Sequence, residues 1–145
     1  MSIFDKLRAG VTTPSAEATR VLAAQLAALL PPDATLALHG DLGAGKTTFV
    51  QGLARGFGVH EHVTSPTFAI YSVYRGQSRT LVHLDAYRID REEQLDALLL
   101  DEFLISPYCL AVEWPEKIAA WLPTNAWPIS LSIVEGRRHR LLLQS

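Results

Sequence analysis

The chain has 145 residues, of which 48% are hydrophobic, so composition predicts one globular domain with a substantial core and excludes a disordered chain. The formal net charge of −2 argues against a dedicated nucleic-acid binder, which would carry a basic stripe. No apolar stretch reaches the length of a membrane span, Met1-Ser2-Ile3-Phe4-Asp5-Lys6 has no signal-peptide core, and the single cysteine, Cys109, excludes an internal disulfide, so a cytoplasmic protein without membrane contact is expected.

Residues 1–12 are weakly patterned and read as an N-terminal arm. Thr13-Pro14 looks like a helix start with Pro14 in the first helical position. The helix would bury Ala18, Val21, Leu22, Leu26, Leu29 and Leu30, and Pro31-Pro32 would end it. The apolar run Thr35–His39 reads as a strand. It leads without a gap into Gly40-Asp41-Leu42-Gly43-Ala44-Gly45-Lys46-Thr47, which matches the phosphate-loop pattern G-x-x-x-x-G-K-[ST]. Phe49, Val50, Leu53 and Phe57 then fall at helical spacing. A strand, this loop and a helix together have a physical purpose. The glycines let backbone N–H groups turn inward around a polyphosphate, and the helix N-terminus adds its positive end. Lys46 is placed to reach the terminal phosphates, and the Thr47 hydroxyl to ligate magnesium.

Further on, Thr67–Tyr74 and Arg79–Asp85 read as strands around the turn Arg75-Gly76-Gln77-Ser78, an antiparallel hairpin. Asp90 is a candidate cap for a helix carrying Leu95, Leu98 and Leu99. Tyr108–Val112 is a buried-strand run ending in Glu113. Pro115–Leu122 reads as a short helix stopped by Pro123. Trp127–Val134, Glu135-Gly136 and Arg138–Leu143 read as a final hairpin. The predicted fold is a three-layer α/β phosphate-loop NTPase domain, residues 1–145, with a mixed sheet that includes antiparallel hairpins.

A magnesium-bound triphosphate needs an acidic partner at a strand end, and Asp85 and Glu113 both qualify. One would hold the ion, and the other could orient or deprotonate the attacking water. Thr64, Ser65 and Thr67, around Pro66, suit a segment that senses the terminal phosphate, although Ser-Pro-Thr alone is usually a turn. His83 lies two residues before Asp85. It reads as a satisfied strand-end histidine in preference to a metal ligand. Trp114 is open between core and nucleotide-side aromatic, and Cys109 reads as core. Arg137-Arg138-His139-Arg140 is open between a solvated hairpin tip and a phosphate contact. There is no Asn-Lys-x-Asp segment of the guanine-specific kind, and no arginine-rich lid insert of a small-molecule kinase. A core this minimal rarely completes a fast active site without an arginine from a partner.

Gly40–Thr48, Val63-Thr64-Ser65-Pro66-Thr67-Phe68, His83-Leu84-Asp85-Ala86-Tyr87-Arg88 and Val112-Glu113-Trp114-Pro115-Glu116, in this order, resemble one family from about Thr12 to the C-terminus. It is TsaE, formerly YjeE, the bacterial ATPases of tRNA threonylcarbamoyladenosine biosynthesis. The resemblance implies a small cytoplasmic ATPase that binds and hydrolyses ATP with Mg2+ and acts with TsaB and TsaD. TsaD is the member that transfers the threonylcarbamoyl group to the adenosine beside the anticodon in tRNAs reading codons that begin with A. By the same resemblance Asp41, Leu42, Gly43, Ala44, Gly45, Lys46, Thr47 and Thr48 bind ATP, and Lys46, Glu113 and Asp85 form the catalytic set. Thr47, Glu113 and Asp85 serve the metal, Thr64, Ser65 and Thr67 sense the nucleotide, and Trp114 matches the family's Glu-Trp pair. Ser15 and Arg137 fall where the N-terminal segment and final hairpin approach the nucleotide, a weaker match. Direct contact with tRNA is left open. A non-hydrolysing nucleotide-binding regulatory module is the alternative, and a small-molecule kinase the weakest reading.

Overall fold

In the computed structural model, which describes residues 2–66 and 70–144, the N-terminal residues do not form a loose arm. They contain the helix α1 (Ile3–Ala9) and the short strand β1 (Val11–Thr13). Ser2 and Asp5 make a reciprocal cap: the Asp5 N–H donates to Ser2 Oγ at 3.1 Å and the Ser2 N–H to Asp5 Oδ2 at 3.2 Å. Leu7 is fully buried. One buried leucine and a three-residue strand are too little for periodicity to register.

The helix α2 (Ala16–Leu29) starts two residues beyond Pro14. Ser15 is its cap, accepting the Ala18 N–H on Oγ at 3.1 Å, so Pro14 lies outside the helix. Its buried face is Thr19, Ala23, Leu26 and Ala27, whereas Val21 and Leu29, expected inside, are 43% and 55% exposed. The cause is the next helix, α3 (Lys46–Phe57). A Cβ on Gly52 would stand 2.6 Å from Ala23 Cβ, and one on Gly56 2.6 Å from Ala27 Cβ. Small residues on both helices bring the backbones together, and that close seam takes precedence over the larger apolar side chains. Arg79 closes the end of α2 by donating to the carbonyls of Pro31 at 2.8 Å and Leu30 at 3.0 Å.

The remaining strands are β2 (Ala34–His39), β3 (Tyr71–Arg75), β4 (Thr80–Asp85), β5 (Tyr108–Glu113), β6 (Trp127–Ile133) and β7 (His139–Leu143). They form one seven-stranded sheet in the order β1-β7-β6-β2-β5-β4-β3. The pairs β6–β2, β2–β5 and β5–β4 are parallel, and β1–β7, β7–β6 and β4–β3 are antiparallel. Both expected hairpins, β3–β4 and β6–β7, are present. Alternation along the strands gives two cores. Leu36, Leu38, Leu81 and Ala111 pack under α1, α2 and α3, while Val82, Leu84, Leu110 and Val112 face the other side with Ile89, Leu95 and Ile118. The result is a three-layer α/β fold with a mixed sheet.

Asp90 caps no helix. The short helix α4 (Gln94–Ala97) begins later, and Gln94 Oε1 accepts the Asp90 and Arg91 N–H groups at 2.7 and 3.0 Å. Leu95 is buried, but Leu99 is 58% exposed at φ 54°. The predicted helix after Pro115 shrinks to the 3-10 turn Pro115–Ile118. The parallel register matters most for the site: β4 and β5 set Asp85 directly beside Glu113, next to the end of β2 from which the phosphate loop departs.

Candidate functional site

The phosphate loop turns through Gly43 and Gly45, at φ 80° and 98°, values that a side chain opposes and glycine adopts freely. Gly45 is the left-handed N-cap of α3 and offers no side chain to the first helical N–H groups. Those donors therefore point into the loop hollow, as anion binding requires. A cleft of about 400 Å³ opens there, lined by Leu42, Gly43, Gly45, Lys46, Thr47, Thr48, Ser65, Asp85, Tyr87, Glu113, Trp114 and His139.

Lys46 is buried, 4% exposed, with Nζ donating to the Gly40 carbonyl at 2.6 Å and lying 4.0 Å from the centre of the Trp114 ring. Burial lowers the ammonium pKa, and the charges of Glu113, Asp85, Glu116 and Asp41 act against that shift. Asp85 is shifted the opposite way. Burial raises its carboxyl pKa and the neighbouring Glu113 adds to the rise, while the Tyr87 N–H, donating to Oδ1 at 3.0 Å, opposes it. Two carboxylates at adjacent strand ends, one hard to ionise, favour a cation between them and a phosphate.

Thr47 Oγ1 lies 3.5 Å from Glu113 Oε2. A hydroxyl and a carboxylate oxygen, with Asp85 alongside, are the hard oxygen donors that suit Mg2+, which takes one or two carboxylates together with substrate phosphates. The donor set therefore fits the ion. The same Glu113 oxygen is 2.5 Å from Nε2 of His83, which is fully buried. His83 is thus partnered through Nε2 alone, short of the satisfied histidine expected, and that partner is a candidate site residue.

The cleft gathers Leu42, Gly43, Gly45, Lys46, Thr47, Thr48, Ser65, Asp85, Glu113 and Trp114 from the sequence-derived set. Ala44 is buried beneath the loop, and Asp41 is exposed with its carbonyl accepting the Ala44 N–H at 3.0 Å. Thr64 is exposed and outside the cleft lining, and Thr67 lies outside the described residues. Ser15 and Arg137 are exposed and do not line the cleft either. Ser15 is engaged in capping α2, and Arg137 sits in the β6–β7 turn. The basic cluster divides instead: His139 turns inward, its Nδ1–H donating to the Ala44 carbonyl at 3.2 Å, close under Gly45. Tyr87, beside Trp114 with ring centres 5.2 Å apart, was also missed. Tyr87 follows Asp85 at a strand end, a signal available in the sequence. His139 depends on where β7 returns beneath the loop, which no local pattern reveals.

Among the described residues no helix is long and apolar enough to cross a membrane. Residues 13–141 match the sequence model of the family described as threonylcarbamoyl adenosine biosynthesis protein TsaE. The chain is 40% identical over 111 residues to the tRNA threonylcarbamoyladenosine biosynthesis protein TsaE of Treponema pallidum, covering 76% of this chain and 82% of that protein. It is 41% identical to the TsaE of Bacillus subtilis, covering 77% of this chain and 69% of that one. The crystal structure of Bacillus subtilis YdiB superposes with a TM-score of 0.76 at 34% identity, over 92% of this chain and 82% of the other. Fold, motif order and these similarities agree, and the chain belongs to the TsaE family.

Proposed function

We infer that this chain is a magnesium-dependent ATPase that serves tRNA threonylcarbamoyladenosine biosynthesis together with TsaB and TsaD. The pathway follows from family membership, and the reading of the site rests on one observation: Lys46, Thr47 and Glu113 converge on the phosphate-loop cleft. In this reading the loop N–H groups between Gly43 and Thr48, other than that of Ala44, which is bonded to Asp41, cradle the phosphates. Lys46 exchanges the Gly40 carbonyl for the outer phosphate oxygens. Thr47 Oγ1 and Glu113 hold the metal, with Asp85 supporting from the neighbouring strand. Magnesium, when bound, offsets the negative charge on the outer phosphates. Glu113 is also the better placed carboxylate to orient water, because β5 is adjacent to the strand that feeds the loop. Trp114 lies over the Lys46 ammonium and walls the cleft.

The test is calorimetry of ADP and of an ATP analogue over a magnesium series, paired with turnover assays in the presence of TsaB and TsaD. Glu113→Ala and Asp85→Ala should retain ADP binding, because the backbone supplies the phosphate donors. Both should lose magnesium-dependent ATP binding and turnover, Glu113→Ala more severely. Normal hydrolysis by both variants in the partner complex would show that neither carboxylate serves the metal.

A further inference from the structure

We propose that His83 is a positioning residue for Glu113, holding its carboxylate in the orientation that magnesium-dependent nucleotide binding needs. The inference rests on the role of Glu113 inferred above and concerns a residue that touches neither nucleotide nor metal in that reading.

His83 sits inside β4 and is 0% exposed. Its register partner on β5 is Ala111, which presents only a methyl group. The imidazole therefore has room to reach along β5 to the next residue on the same face, Glu113. Nε2 meets Glu113 Oε2 at 2.5 Å, the oxygen that Thr47 Oγ1 approaches at 3.5 Å. The other ring nitrogen, Nδ1, is buried with no hydrogen-bond partner. With the Glu113 carboxylate as acceptor, Nε2 carries the donated proton. A buried histidine with one satisfied nitrogen has one polar task here, and that task is orienting Glu113.

The same geometry divides the labour of the carboxylate. A donor on Oε2 fixes the plane of the group and leaves Oε1 and the second lone pair of Oε2 for the cleft. Such partners behind a metal-linked carboxylate affect metal affinity by about 10–100-fold when removed. An apolar residue in place of His83 would leave Glu113 free to rotate away from Thr47.

The experiment compares His83→Gln, whose side-chain nitrogen reaches the Nε2 position, with His83→Asn, whose shorter amide does not. Glu113→Gln is the control for the reading beneath. Thermal unfolding establishes that each variant is folded, and calorimetry measures ADP binding without metal and ATP-analogue binding over a magnesium series. His83→Asn should raise the magnesium midpoint about tenfold and leave metal-free ADP binding unchanged. His83→Gln should restore the midpoint to within about threefold of the parent chain, a rescue that a space-filling role does not give. If His83→Asn does not fold, His83→Leu replaces it, removing the donor without burying an unpaired amide. A magnesium midpoint unchanged in the donor-less variant, while Glu113→Gln loses its response, overturns the positioning role alone. Equal loss in His83→Gln and the donor-less variant overturns it too. An unchanged response in Glu113→Gln removes the role of Glu113, and the inference falls with it.

Discussion

Lys46 is held by its own loop, with its ammonium on the Gly40 carbonyl and against the Trp114 ring. In the proposed reading, phosphate binding exchanges that carbonyl for anionic oxygens, a charge-assisted contact worth about 1.5–3 kcal/mol. Lys46→Ala should therefore lose at least tenfold in ATP affinity, measured by calorimetry, while keeping a cooperative unfolding transition. Unchanged affinity and turnover would sink the phosphate-loop reading. Asp85 makes a second prediction at this scale. Burial raises its pKa above the ordinary 3.8, so between 3.8 and the raised value the folded chain binds more protons than the unfolded one. Stability from this group is therefore full below that window and falls as pH rises through it. In nucleotide- and metal-free protein, Asp85→Asn removes this loss. Urea unfolding should show the variant gaining on the parent chain as pH rises through the window, then holding a constant margin. A margin that shrinks with rising pH would reverse the assigned cause. Lys46 acts on the alkaline side. Its lowered pKa means stability rises with pH between that value and 10.5, where the unfolded chain binds more protons.

The contact between α2 and α3 shows where pattern reading stops. Alternating or helical apolar spacing identified the strands that flank the cleft and the phosphate-loop helix, because those residues pack by size. It misplaced the face of α2, where alanine and glycine pack by their lack of size and leave Val21 and Leu29 outside. The cap at Asp90 failed because α4 begins only at Gln94, whose side chain instead accepts the Asp90 and Arg91 N–H groups ahead of it. Residues 1–12 failed because their pairing partner, β7, lies at the opposite end of the chain. Within the site, the phosphate loop, Asp85 and Glu113 were legible, since each sits at a strand end that the local sequence marks. The approach of His139 depends on long-range topology. Two glycine substitutions separate the effects of space and backbone. In α3, Gly52→Ala gains about 1 kcal/mol of helix propensity, but its Cβ would stand 2.5 Å from the Arg20 carbonyl oxygen. Overpacking costs about 1–3 kcal/mol, so thermal unfolding should show net destabilisation. Gly43→Ala meets nothing within 4 Å but needs φ 80°. Its strain costs about 1–2 kcal/mol, and it should weaken nucleotide binding through the loop backbone without disturbing the helix seam.

At the scale of the whole molecule, one sheet carries the loop, both carboxylates and the histidine beneath them, and its two faces are closed by helices and turns. The described lining of the cleft includes Lys46 and His139 and no arginine, and Arg88 lines the adjoining hollow that shares Leu42, Ser65, Asp85 and Tyr87 with it. Stabilising a phosphoryl-transfer transition state by an arginine supplied in trans is worth roughly 10³–10⁵ in rate in GTPase examples. The isolated chain should accordingly turn over ATP slowly, and TsaB with TsaD should raise the rate. Steady-state hydrolysis with and without the partners measures this. Many turnovers per second from the chain alone, indifferent to partners, would contradict partner dependence. The most direct measurement is a crystal structure of the chain with magnesium and a non-hydrolysable ATP analogue. The expected result has the triphosphate along Gly43–Thr48, Lys46 Nζ transferred from the Gly40 carbonyl to phosphate oxygen, and the metal on Thr47 Oγ1 with Glu113 facing it. An analogue bound elsewhere, or a Lys46 still on Gly40 with the metal away from Thr47 and Glu113, would contradict it.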